Sequence, residues 1–490
     1  MRLPSRYSHA VVIAGALIVG AALAACSSSG DDGASVSTSN TSESASSTEP
    51  SAQTTTPDTT AVDTTAAPAT RDPTINPDGV DPLPPLPDDV ALPIVFVHGF
   101  AGSAQQYESQ KMRFVANGYP ADRIVAYDHD GAGMDVGAYV SGLAAVVDAT
   151  LAEFDATQVY LVGHSRGTLV SGTYLEDPAA AANVAKYVAI DGAPCPATIA
   201  VMCVAPNQAA FPGQAHVETA TSPESFAMQF EFLVGAPPAV VDVVPQREPV
   251  VISGRAVNFP ANTGRDGATL EIWKLDADTG HRSQDTPVAS EVLDATGDFG
   301  PVEVESGAHY EYVLTSPGSD SQHHLYLQPY VRSSDFVRLL SSAPDGTTRV
   351  NTNTGDAHSS IIAMRMREWY AVDDADLPGD ERDILEISTD GAEPVNALAE
   401  FVGNSTIGIH LHDDAASPGS TTLVALPYFA EQPFQSGVDI FMPSSAGGRG
   451  TIAVVNTPRG DRTRPQTLNV ANWPSSTHAI SVVFTDYPVD

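Results

Sequence analysis

The chain has 490 residues, 42% of them hydrophobic, enough for two or three cores of ordinary domain size. Its 23 Lys and Arg stand against 60 Asp and Glu, for a net charge of −37. Such a field repels nucleic acid and anionic headgroups, whose recognition rests on clustered basic residues not found here, so an uncharged substrate is easier to reconcile with it.

The first residues read as an export signal. "MRLPSRYSHA" supplies two arginines, "VVIAGALIVGAALAA" is an apolar run, and "LAAC" closes it with small residues before Cys26. Fifteen residues of helix span about 22 Å, short of the roughly 30 Å of a bilayer core, so residues 1–25 form a cleavable signal rather than a membrane helix. Leu23-Ala24-Ala25-Cys26 resembles the lipobox of bacterial lipoprotein signals. That resemblance implies lipidation of Cys26 and attachment of the exported chain to a membrane or cell surface.

Residues 26–85 are Ser, Thr, Pro, Ala and Asp with almost nothing to bury, and are expected to form a disordered tether. A coil of about 60 residues reaches some 45 Å root-mean-square. A catalytic domain is expected over 86–240, where short apolar strands alternate with amphipathic stretches. "LPIVFVHG" is a buried strand, "QQYESQKMRFVANG" a helix with a glycine stop, and "RIVAYD" a second strand. "MDVGAYVSGLAAVVDATLAEF" is a long helix, "TQVYLVG" a third strand, "TLVSGTYLED" a helix and "AKYVAID" a fourth strand. The repetition predicts a parallel sheet covered by helices. "TSPESFAMQFEFLVG" closes the region as a helix with Ser222 as N-cap and Pro223 at its first position.

Beyond about Val244 the windows shorten and alternate, as in "VVISGRAVNFP", "ATLEIWKLDADTG", "HHLYLQPYV", "STIGIHLHDD" and "GTIAVVNTP". Two β-rich domains are expected, over 248–345 and 350–490. The expected fold class is thus an α/β hydrolase, a parallel sheet flanked by helices, followed by one or two all-β domains.

The chemistry lies in "YLVGHSRGTLV". Gly163-His164-Ser165-Arg166-Gly167 is a G-x-S-x-G pentapeptide between a strand and a helix, the arrangement of a nucleophile elbow. A serine hydroxyl needs a histidine to take its proton and a carboxylate to orient that histidine. In the order serine, acid, base, His216 is the one histidine in the rest of the region, and only Glu176, Asp177 and Asp191 lie between. Glu176 and Asp177 read as the solvated end of the helix after the elbow. Asp191 ends a strand, at the sheet edge where α/β enzymes gather their reactive groups. Elimination names Ser165, Asp191 and His216. The backbone N–H groups of Arg166 and Phe100, the latter in "HGFAGS", are the expected oxyanion donors. His164 and His98 read as structural.

Cys195 and Cys203 are the only cysteines after Cys26. In an exported chain they are expected to pair, closing a loop of about nine residues for roughly 2.5 kcal/mol, with two free thiols as the alternative. No metal or cofactor is called for.

"FVHGFAGS", "VGHSRGT", "AIDGAP" and "HVETATSPESFAMQFEFLVG", followed by "ISGRAVNFPANTGRDGATLEIWKLDADTG", resemble lipases in which an α/β-hydrolase domain precedes a C-terminal β domain. The resemblance runs from about residue 92 to at least 340. It implies hydrolysis of carboxylic esters, acylglycerols included, with the β domain assisting lipid binding, and it matches Asp191 and His216 as acid and base. Only 24 residues, 192 to 215, separate these two, which leaves little room for a further strand or a lid. Two other readings stay open: a carboxylesterase or polyester depolymerase acting on non-lipid esters, and a surface binding protein with a vestigial hydrolase domain.

Overall fold

Strand β1 (Ile94–Val97) is an unbroken apolar run buried on both faces, and so is most of the sheet built around it. The sheet contains β2 (Ile124–Tyr127), β3 (Val159–His164), β4 (Val184–Ile190) and β5 (Ala200–Val204), in the order β2-β1-β3-β4-β5, all parallel. The computed structural model describes residues 83–196, 199–205, 213–342, 346–370, 382–398, 406–459 and 462–487. The signal segment, Cys26 and the tether up to residue 82 lie outside them.

Alternate residues of β1 point to opposite faces. Ile94 and Phe96 pack with Phe114 of α1 (Glu108–Ala116) and with Phe226 and Phe230 of a later helix, Pro223–Val234. Val95 and Val97 pack with Tyr139, Leu143 and Val147 of α2 (Val136–Glu153) and with Val170 and Tyr174 of α3 (Arg166–Tyr174). This is the helix-covered parallel sheet expected from the sequence. Helix α4 (Pro178–Ala182) begins after Asp177, whose side chain accepts from Ala179 N at 2.9 Å. Asp177 therefore caps a new helix instead of ending the previous one. Two more helices follow, α5 (Glu218–Thr221) and α6 (Pro223–Val234). The Ser222 hydroxyl caps α6 from Ser225 N at 3.1 Å, Pro223 opens it, and Gly235 closes it with φ 85°.

One expectation fails. The interval between Asp191 and His216 holds a strand after all: β5 pairs in parallel with β4 from Lys186↔Ala200 to Ile190↔Val204. Parallel neighbours usually need a helical crossover of a dozen residues. Here nine positions separate β4 from β5, and the Cys195–Cys203 disulfide ties that interval to β5 itself, with Cα atoms 6.3 Å apart.

Among the described residues the β-rich part contains two four-stranded sheets and one of eight strands. One small sheet runs Asp298–Val304, Val250–Asn258, Ser334–Ser341, with Thr263–Gly264 paired to the middle strand. The other runs Val395–Asn396, Ile384–Thr389, Thr451–Thr457, Gln466–Ala471. The large sheet runs Gln435–Asp439, Gly408–His412, Ile361–Met364, His478–Val483, Gln322–Leu327, Tyr310–Thr315, Thr269–Lys274, Ala289–Val292. It is therefore assembled from both β-rich segments, joined where Gln322–Leu327 pairs in parallel with His478–Val483. The two segments share a sheet as well as a border.

Candidate active site

Ser165 sits between β3 and α3 with φ 55° and ψ −124°, a conformation that costs a non-glycine residue of order 1–3 kcal/mol and is held by its surroundings. A Cβ on Gly163 would stand 2.8 Å from Gly167 O, and one on Gly167 2.1 Å from Val97 O. Backbone on both sides leaves no space for a side chain, which is why the turn carries two glycines. Ser165 N donates to Ile190 O at 2.9 Å, so the serine leaves the sheet beside the end of β4, where Asp191 begins the next loop with φ 38°.

Asp191 Oδ2 lies 2.5 Å from His216 Nδ1. That contact engages one ring nitrogen. The other, Nε2, is buried and has no hydrogen-bond partner among the described residues. The two side chains keep about a quarter of their surface exposed, at 26% for His216 and 24% for Asp191.

His164 is 2% exposed, and its ring lies 4.5 Å from that of His216 between centroids. Gln106 Nε2 donates to its Nδ1 at 2.6 Å, which leaves Nε2–H to donate to the His216 carbonyl at 2.9 Å. Burial, reinforced by the neighbouring His216, holds its pKa well below the usual histidine range, so the ring stays neutral. The elbow thus grips the main chain of His216 through a side chain of fixed tautomer. Phe434 also lies against the His216 ring, stacked at 6.2 Å between centroids.

The loop after β1 closes on the serine. A Cβ on Gly99 would come within 2.8 Å of Ser165 Cβ and 3.2 Å of its Oγ, so the Gly99 backbone, next to Phe100, borders the hydroxyl directly. Arg166, the first residue of α3, has no carbonyl one turn earlier in the helix to receive its N–H. The Phe100 ring lies 5.4 Å from the Arg166 guanidinium, which also donates to His129 Nδ1 at 3.1 Å and Asp130 O at 2.6 Å. His98 is 1% exposed and stacks on His129 at 3.9 Å, and burial lowers its pKa to about 3. Its role is structural.

The β-rich part braces this site from two directions. Asn262 Nδ2 donates to Gly102 O at 2.8 Å and to His129 O at 2.9 Å, while Asp128 accepts from Ala104 N at 2.7 Å and pairs with Arg338 at 2.7 Å and Arg255 at 3.2 Å. Burial opposes ionisation of Asp128, but Arg338 and His98 outweigh it and hold the carboxyl below its ordinary range. On the other side, the fully buried Glu368 accepts from Val217 N and, at 2.9 Å, from Glu218 N, while Glu218 itself pairs with Arg367 at 2.9 Å and with Arg459. The sequence reading missed Glu368, Asn262 and Gln106, because their partners stand 58 to 160 positions away and no local pattern marks them.

A cavity of about 180 Å³ opens beside these groups. Ser165, Asp191 and His216 do not line it. Its near rim is Ala101, Gly102 and Ser103, just past Phe100, together with the Phe434 that stacks on His216. Beyond the rim it runs over the eight-stranded sheet past Ile362, Met364 and Ile480. Among the described residues no group of three or more His, Cys, Asp or Glu is arranged to hold a metal ion.

Three protein-family descriptions match the chain: the alpha/beta hydrolase fold over residues 93–209, the lipase C-terminal domain over 248–344, and a further C-terminal domain over 347–488. No curated protein matches it. Among solved structures it is similar to a hypothetical protein from Pseudomonas aeruginosa PAO1, at 18% identity and a TM-score of 0.16, covering 31% of this chain and 46% of that one. It is also similar to the phospholipase PlaB from Legionella pneumophila, solved in complex with thio-NAD, at 8% identity and a TM-score of 0.20, covering 80% and 93% of the two chains. A third is the shaft pilin SpaA from Lactobacillus rhamnosus GG, at 13% identity and a TM-score of 0.15, covering 50% and 99%. The chain spans less than half the length of the Pseudomonas protein. Likeness at this level carries nothing about activity.

Proposed function

We propose that this chain, an α/β hydrolase carrying a lipase C-terminal domain, is an exported serine hydrolase that cleaves lipid esters through an acyl-enzyme. The observation that carries the reading is the 2.5 Å contact between Asp191 and His216 beside a serine held at φ 55°. Ser165 Oγ attacks the ester carbonyl while His216 Nε2 takes its proton, and Asp191 holds the ring and balances the imidazolium charge. The oxyanion is met by the N–H groups of Phe100 and Arg166, a kind of contact worth about 3 kcal/mol per donor in the transition state. His216 returns the proton to the leaving alcohol oxygen, and a water activated by the same nitrogen then releases the acid.

The acyl chain enters at Phe434 and lies against Ile362 and Met364, so the β-rich part sets the chain length accepted. A series of p-nitrophenyl esters, compared between the native chain and its Met364→Trp variant, tests this. Loss confined to the long esters supports lipid esters as substrates. Equal loss across the series excludes the cavity as the acyl site and favours a carboxylesterase or polyester depolymerase. Attachment through lipidated Cys26 is part of the same proposal: Cys26→Ser is expected to move the chain from the detergent phase to the aqueous phase of a Triton X-114 partition.

A further inference from the structure

The far side of the cavity differs from its rim. Arg265, 7% exposed, lines it and donates only to neutral acceptors, Asn258 Oδ1 at 2.9 Å and Ser316 Oγ at 2.6 Å. Arg349 lines it too and donates to backbone carbonyls, those of Ser475, of Ser476 at 3.3 Å and of His478 at 3.3 Å. Among the described residues neither forms an ion pair; the buried Arg113 and Arg332 form none either but do not line the cavity, while Arg338, Arg365 and Arg459 each meet a carboxylate. In a chain with 60 acidic residues and 23 basic ones, two arginines gathered at one cavity without a counter-ion are conspicuous. A guanidinium withdrawn from water is costly unless an anion joins it.

The two charges share one locus: Arg265 reaches Ser316, next to Thr315, and Arg349 reaches His478, and Thr315 and His478 flank Gln322 on the strands to either side of it. His323, on the strand Gln322–Leu327, lines the same cavity, and its pKa is lowered to about 3 by burial, by His324 and by both guanidiniums. It is neutral and lies 2.8 Å from Ser481 Oγ. Between this locus and the rim near His216 the wall carries Ile362, Met364 and Ile480, interspersed with Ser360 and Ser481. The lining crosses six adjacent strands of the large sheet, from Gln435–Asp439 to Tyr310–Thr315, a distance of about 24 Å at 4.8 Å per strand. A basic end and a long, mainly apolar wall match a molecule with an ionised head and an alkyl chain.

We propose that Arg265 and Arg349 form an anion site at the far end of the cavity, which takes the carboxylate or phosphate head of an amphiphile whose chain lies along Ile362, Met364 and Ile480. The planar fork of a guanidinium suits both oxyanions. The site offers a local positive field inside a chain whose overall charge repels anions. If the proposed ester hydrolysis holds, a released fatty acid bound head-inward occupies the space of the next acyl chain, and the product inhibits.

Calorimetric titration of the full-length chain with laurate, dodecyl phosphate, dodecanol, dodecyltrimethylammonium and inorganic phosphate tests the site without reference to catalysis. We expect laurate or dodecyl phosphate to bind at least tenfold more tightly than dodecanol and the cation. Whichever of the two binds identifies the head, and binding of both supports a shared oxyanion site. Measurable binding of inorganic phosphate at the same locus, lost in the variants, supports it as well. Arg265→Gln and Arg349→Gln are each expected to lose tenfold or more for the anions and nothing for dodecanol, with hydrolysis of p-nitrophenyl butyrate unchanged. Equal binding of laurate and dodecanol by the native chain overturns the proposal, as does unchanged anion affinity in both folded variants. The native comparison decides the matter even where a variant does not fold. Absence of hydrolysis would remove only the product-inhibition corollary.

Discussion

Glu368 accepts the backbone N–H of Val217, so a carboxylate from the C-terminal β-rich segment is hydrogen-bonded to the peptide that follows His216. With the second bond from Glu218 N at 2.9 Å, both donors at the start of α5 are satisfied by one buried side chain. Glu368→Gln keeps the shape but turns one oxygen into a donor that faces an N–H. A buried group left unpaired costs about 1–3 kcal/mol. If about half of the upper end of that cost, some 1.4 kcal/mol, appears in the placement of His216, kcat falls about tenfold. We expect that fall with KM for a short ester changed less than twofold. An unchanged kcat in a folded variant means that the β-rich part does not position the base.

Gln106 fixes the tautomer of His164, which in turn holds the His216 carbonyl. Gln106→Leu leaves a buried ring nitrogen without its donor and frees the ring to present the wrong nitrogen. We expect a loss of about 1–3 kcal/mol in unfolding free energy and a lower kcat, read by chemical denaturation and by steady-state kinetics on the same preparation.

Asp191→Asn keeps the size of the side chain but removes the charge that orients His216 Nδ1–H. In serine hydrolases of this logic the corresponding change lowers kcat by on the order of 10⁴ while substrate binding survives. Loss of that size with intact KM is the outcome expected here.

Stability should depend on pH in a defined way. Burial lowers the pKa of His98 and His410 to about 3 and of His478 to about 4. The unfolded chain therefore takes up protons that the folded chain refuses, and stability is lost as pH falls below 6.5. Glu108 runs the other way: burial raises it to about 7, and burial also raises Glu368 and Asp486, so they cost stability as pH rises above the ordinary carboxylate range. Glu311 is buried, but His324 and Arg282 outweigh burial and lower it to about 2, so its contribution is lost as pH falls from about 4.5 toward that value. Between about pH 5 and 6.5 these carboxyls offset only part of the histidine slope, since burial also lowers His323 to about 3 and holds His164 well below the usual range. Below about 4.5 the histidines and Glu311 act together, with about 1.4 kcal/mol per pH unit from each of His98 and His410. A Tm that falls gently from about pH 6.5 to 5 and more steeply below 4.5 is expected in calorimetry. A Tm flat down to pH 3 contradicts the burial of these histidines in neutral form.

The elbow was legible in the sequence because its determinants are local: two glycines, an apolar strand before them and a helix after them. The same is true of α6, whose Ser222, Pro223 and Gly235 mark its ends. Strand β5 was not legible. Its residues are mostly exposed or half-buried, so no buried-strand pattern sets "AVMCV" apart, and its parallel pairing needs no helix to announce it. The shared sheet was hidden for a different reason. Gln322–Leu327 and His478–Val483 are each visible as strands, but nothing in either indicates that they pair across some 156 positions. Glu368, Asn262 and Asp128 are equally silent, since a buried polar residue is defined by partners that only the fold supplies.

The most direct measurement is labelling of the full-length chain with a fluorophosphonate, followed by peptide mass spectrometry and by turnover of p-nitrophenyl esters. The account requires one modified residue, Ser165, with activity lost in proportion to labelling. It also requires a Ser165→Ala variant that keeps the native Tm yet neither labels nor hydrolyses. Label on another residue, or turnover retained by Ser165→Ala, contradicts it.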